Sequence, residues 1–109
     1  MNSKETGPNP SNPSLAERND AFRQTCIPFV TAGVLFLDDV PDLIQAVREF
    51  DDFTSDNDPY GEHDFGALMW AAERVYWKLD YYDQDLRSWR DPQDPDCQRI
   101  LTILLASEY

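Results

Sequence analysis

The sequence predicts an α+β fold: a three-stranded, mainly antiparallel sheet packed by about three helices, in the order α-β-α-β-β-α. Three observations carry this. Leu43, Ile44, Val47 and Phe50 recur at helical spacing. Val75, Trp77, Leu79 and Tyr81 alternate with polar or half-polar neighbours, the period of a strand with one buried face. Two further apolar runs, 29–37 and 100–106, supply the remaining strand and helix. With 109 residues, 41% of them hydrophobic and 13% aromatic, the chain can close one modest core.

Residues 1–13 hold Pro8, Pro10 and Pro13 among Asn and Ser, too little apolar surface to offset chain entropy, so a disordered tail is expected there. Residues 14–109 are expected to form a single domain. Ser14 with Glu17 three residues on reads as a capping box opening the first helix. Leu15, Phe22 and Cys26 share a face of that helix, and Pro28 ends the segment. Phe29 to Leu37 reads as a buried strand bent at Gly33. Pro41 suits the first turn of the next helix, and Asp42 favours its positive end.

Asp51 to Gly61 is a turn-rich acidic loop. Asp64–Trp70 and Arg74–Tyr82 then read as a hairpin around Ala71-Ala72-Glu73, although 67–75 also suits a helix on propensity alone. A second acidic loop runs from Asp83 to Pro95. Asp96 is placed to cap a last helix over 97–107, with Ile100, Leu101, Leu104 and Leu105 facing inward.

Charge bounds the function. The formal net charge is −12, from 21 acidic and 9 basic residues, so direct binding to a phosphate backbone is disfavoured. The longest apolar run near the C-terminus is far short of the ~20 residues of a membrane helix, and Met1 to Pro13 has no apolar stretch resembling a signal peptide. A cytoplasmic protein is expected. Cys26 and Cys97 form no C-x-x-C pair, so free thiols are expected and a zinc ribbon is not.

Few constellations suggest chemistry. His63, the single histidine, lies between Glu62 and Asp64; with Asp58 these residues define a metal-assisted hydrolase as an alternative reading. The structural reading outweighs it: a hydrogen-bonded loop anchor, with Asn57 and Asp58 bonding backbone amides. Ser88 and Cys97 are the only nucleophiles of mild interest, and nothing in the sequence brings them to His63. An EF-hand count from Asp56 fails at Tyr60 and Ala67. A weaker magnesium or calcium site among Asp51, Asp52, Asp56, Asp58 and Glu62 is the residual metal reading. Phosphate-cradling glycine loops are absent from the sequence, and no cofactor is expected.

The strings Asn57-Asp58-Pro59-x-Gly61-Glu62-His63-Asp64-Phe65-Gly66 and Trp77-Lys78-x-Asp80-Tyr81-Tyr82-Asp83 are more distinctive. With Asn19-Asp20-Ala21-Phe22-Arg23 and the close 101–109, they resemble an uncharacterised bacterial family (a domain of unknown function) whose small members are often carried on plasmids and other mobile elements. The resemblance spans Asn19 to Tyr109. It implies no activity and no catalytic residue; it implies a mobile-element setting, in which proteins that interfere with host defence are common. Ala71-Ala72-Glu73 departs from the glycine-containing turn expected between the two strands.

The charge pattern then points to a partner. Residues 38–64 contain ten acids against Arg48, a balance of −9, and 80–96 contain six against Arg87 and Arg90. Gathered carboxylates can stand in for a duplex, whose upper bound is one charge per ~1.7 Å of axis. The leading expectation is a non-enzymatic inhibitor that occupies a basic, nucleic-acid-binding host defence complex, of anti-CRISPR or anti-restriction type, by acidic mimicry. Asp38, Asp39, Asp42, Glu49, Asp51, Asp52, Asp56, Asp58, Glu62 and Asp64 would supply charge. Tyr60, Tyr82 and Trp89 would anchor, while Trp77, Leu79 and Tyr81 read as core. Acidity serving solubility alone, in an interaction module without mimicry, is the third reading.

Overall fold

The computed structural model describes residues 13–109; the tail expected over 1–13 lies almost wholly outside them. Helix α1 (Leu15–Thr25) opens as the sequence predicts, with Ser14 and Glu17 each accepting the other's backbone N–H. Strand β1 (Phe29–Val30), a single helical turn α2 (Ala32–Leu35) and helix α3 (Val40–Arg48) follow. Strands β2 (Phe65–Trp70), β3 (Glu73–Tyr82) and β4 (Gln98–Leu105) complete the sheet, and a 3-10 turn (Ala106–Glu108) closes the chain. The class is α+β, with a four-stranded mixed sheet of order β1-β4-β3-β2, in which only β1 pairs in parallel.

Two segments differ from expectation. The last helix expected over 97–107 is the strand β4, seated in the sheet between β1 and β3. Its apolar run satisfies either period, and the β-branched Ile100, Thr102 and Ile103 favour extension once both neighbours can pair. Asp96 caps no helix; its N–H donates to the Asp94 carboxylate in a turn. The strand expected over 29–37 stops after two residues. Beyond it, the Glu108 carboxylate accepts hydrogen bonds from the Thr31 hydroxyl, 2.6 Å, and from the Gly33 N–H, 3.1 Å. An anion brought 75 residues along the chain thereby caps the helical turn that Thr31 leaves uncapped. A Cβ at Gly33 would push the tips of Leu105 and Glu108 out of this contact.

The hairpin is real, and its turn contains no glycine. Trp70 pairs with Glu73 across Ala71 and Ala72, both left-handed at φ 50° and 65°. Two left-handed residues make the turn whose twist matches the flanking strands, and alanine occupies it at a steric cost. Val34, Leu43, Val47, Val75, Trp77, Leu79, Leu101 and Ile103 form the core between the sheet and the helices. Tyr81, expected in that core, is only partly buried. Gly66 faces Trp77 across the β2–β3 ladder, and a Cβ would collide with the indole. No helix among the described residues is long and apolar enough to cross a membrane.

Two outcomes follow from these contacts. Changing Ala71→Asn together with Ala72→Gly removes the left-handed strain and stabilises the protein by roughly 1 kcal/mol, read from the urea midpoint. Hydrogen bonds from Thr31, Leu105 and Gly33 hold the Glu108 carboxyl below its ordinary 4.5. Its contribution is therefore complete above 4.5 and is lost as pH falls through the lower folded value. Glu108→Gln should lower the thermal midpoint at neutral pH, and the gap from wild type should shrink in acid.

Candidate functional site

The expected interface residues divide by their surroundings. Asp38, Asp39, Asp42, Glu49, Asp51, Asp52 and Asp56 are exposed, whereas Asp58, Glu62 and Asp64 are half-buried. Tyr60 and Trp89 are exposed at 85% and 69%, and Tyr82 is half-buried beside Trp89, with which it forms an isolated bridge.

Topology decides which acids can work together. β2 begins at Phe65, β3 ends at Tyr82 and β4 begins at Gln98, and the antiparallel register puts these three positions at one end of the sheet. The loops 51–64 and 83–97 therefore leave from the same end. The Trp70 indole N–H donates to the Asp38 carbonyl at the opposite, hairpin end. Asp38, Asp39 and Asp42 belong there, separated from the loop acids by the length of α3.

Helix α1 holds the acidic end together. Its inward face carries Asn19 and Arg23 between Leu15, Phe22 and Cys26, and both are buried, at 0% and 1% exposure. The Arg23 guanidinium donates to the carbonyls of Val47 and Phe50, at 3.0 and 2.8 Å, and to Asp20 at 3.0 Å. It closes the negative end of α3 and lies 4.7 Å from the Trp77 ring centre. The Asn19 amide donates to the Glu62 carbonyl and to the Tyr81 hydroxyl, and its oxygen accepts from Arg99. Arg99 and Arg18 donate in turn to the Pro92 and Gln93 carbonyls. One helix thus joins both acidic loops.

His63 sits inside this frame as a loop anchor. Its ring stacks on Phe53, with centroids 3.7 Å apart and planes 6° from parallel. Nδ1 lies 3.0 Å from the Asp20 carboxylate, and Nε2 lies 3.6 Å from Asp58. Its backbone is left-handed, φ 55°, and the Asp58 carboxylate accepts the N–H groups of Glu62 and His63. Asn57 likewise accepts the Thr54 N–H. Asp58 thus bonds backbone amides inside the loop, as the loop-anchor reading expects. Asp64 accepts from the Tyr81 hydroxyl, and burial, then the neighbouring Asp64 and Asp58, pushes the Glu62 carboxyl up from its ordinary value. Burial likewise raises the Tyr81 phenol, with Asp64 adding to the shift.

As chemistry, the cluster is a set of supports. Asp20 and Asp58 lie off different ring nitrogens of His63 and do not converge on one point. Among the described residues, no group of three or more His, Cys, Asp or Glu is placed to hold a metal. Cys26 and Cys97 are free and half-buried. The sequence reading assigned no role to Asn19, Asp20, Arg23, Phe53 or Arg99. The available signal was Asn19 and Arg23 at spacing four on the apolar face of α1, since buried polar groups need partners.

Fold and site together describe a small α+β protein with two acidic, aromatic-bearing loops at one end of its sheet. Residues 30–108 match the family described as Protein of unknown function (DUF3768), and the chain belongs to that family. No curated protein and no solved structure matches it. The match begins after α1, so Asn19, Asp20 and Arg23, which organise the loops, lie outside the matched segment.

Arg23→Met takes the side-chain donor from the Phe50 carbonyl, removes one donor each from the Val47 carbonyl and the Asp20 carboxylate, and leaves a hole beneath Trp77. The expected cost is about 3 kcal/mol in urea unfolding, with amide shifts in 50–64 moving more than those in β4.

Proposed function

We propose that this protein is a non-enzymatic acidic inhibitor that binds a basic, nucleic-acid-binding surface of a host defence complex by imitating the charge of nucleic acid. The observation that supports it most is topological: the loops 51–64 and 83–97 leave one end of the sheet, and α1 fixes both. Asp51, Asp52 and Asp56 are exposed there, and Tyr60 and Trp89 stand exposed on the same two loops. Fixed carboxylates favour fast, salt-sensitive docking into a cationic cleft, and exposed aromatics supply anchoring area. A mobile-element setting, which comes from the sequence resemblance, and a cytoplasmic location belong to this proposal.

In this proposal a partner meets fewer acids than the sequence offers. Asp58 and Asp64 serve the loop and Tyr81, and Asp38, Asp39 and Asp42 belong to the other end of the fold. The charge offered to a partner is that of Glu49, Asp51, Asp52 and Asp56, joined by Asp85, Asp91 and Asp96 of the second loop, all of them exposed. A hydrolase centred on Glu62, His63 and Asp64 finds no favouring observation, because His63 faces Asp20 and Asp58 while Asp64 faces Tyr81.

The test is capture from host lysate, followed by binding measurements with the protein captured. A nucleic-acid-binding protein is expected, with affinity falling steeply as salt rises. Reversing Asp51, Asp52 and Asp56 to Lys together should weaken it by roughly tenfold or more with the unfolding midpoint kept. Salt-independent binding, or binding unchanged by the triple reversal, defeats the proposal. Asp58 is left intact because its loss would damage the loop.

A further inference from the structure

Strand β2 closes one edge of the sheet with the sequence Phe-Gly-Ala-Leu-Met-Trp, without a charge, a proline or a bulge. Natural edge strands generally carry one of these devices, because a bare edge templates another strand. The turn at Ala71-Ala72 sets the ladder phase: Trp70, Leu68 and Gly66 exchange hydrogen bonds with β3, and Phe65, Ala67 and Met69 point their N–H and C=O groups outward. Among the described residues, no further backbone hydrogen bond reaches these three. Met69 is 61% exposed.

Charge selects the occupant. Residues 65–79 carry Glu73 against Arg74 and Lys78, a balance of +1 in a chain of −12. Two copies of so acidic a chain repel one another least where this nearly neutral hairpin is the contact. The edge is also self-complementary: about a two-fold axis at Ala67, each Ala67 exchanges both hydrogen bonds with its counterpart. Phe65 then pairs with Met69 of the second copy, an aromatic–thioether contact. We propose that β2 is a homodimer edge, joining two four-stranded sheets into one of eight strands. The dimer carries its two acidic ends at opposite poles, since β2 starts at the acidic end and the copies run antiparallel.

Sedimentation velocity over a concentration series tests this on the full chain. Wild type should approach twice the 12.6 kDa chain mass, with slow hydrogen exchange at the Ala67 and Met69 amides. Ala67→Lys places like charges directly opposite at the axis, as does Ala67→Glu, so each alone should be monomeric. Mixing the two should restore the dimer. The circular dichroism of each Ala67 variant should match that of wild type, which shows that both fold. A wild type that stays monomeric overturns the proposal. So does a dimer that persists in Ala67→Lys and Ala67→Glu separately, or one whose Ala67 and Met69 amides exchange quickly.

Discussion

The structure depends on one buried cation. Arg23 enters the core from α1 and ends on the last carbonyls of α3 and on Asp20, beneath the face of Trp77. Burying a guanidinium is costly unless its donors are used, so the positions of α1, α3 and the Phe50 turn are coupled. The directional bonds of Arg23, with those of Asn19, hold one arrangement.

That coupling turns two polar loops into defined surfaces. Loops rich in Asp and Pro have little apolar area of their own, and ordering them costs chain entropy. Here the cost is offset by bonds that cross the sequence: Asn19 to the Glu62 carbonyl, Arg99 to Pro92 and Asn19, and Arg18 to Gln93. Within the loop, Asp58 and Asn57 satisfy backbone amides that would otherwise face water. Acids of similar spacing therefore have different surroundings: Asp58 and Asp64 accept bonds from loop amides and Tyr81, whereas Asp51, Asp52 and Asp56 face solvent.

Glu108 plays a parallel part at the other side of the sheet. It bonds Thr31, Gly33 and Leu105, tying the C-terminal turn to α2 and to the end of β4. A segment that reads as continuous strand is thereby divided into a two-residue strand and a helical turn. The apolar edge strand β2, by contrast, receives no such cover: among the described residues, no further backbone hydrogen bond reaches Phe65, Ala67 or Met69.

Local sequence determined the elements whose signals are short-range. The Ser14–Glu17 box, the stripe of α3, the alternation of β3 and the turn chemistry of the acidic loops each follow from residues within one or two turns of one another. Tertiary structure alone decided the strand identity of Gln98–Leu105, because an apolar run satisfies both periods until neighbours on either side offer ladder bonds. It also decided the break after Val30, which needs a carboxylate from the far end of the chain. The roles of Asn19, Asp20 and Arg23 were hidden for the same reason: a buried polar side chain takes its meaning from partners tens of residues away, and only folding brings them within hydrogen-bonding distance.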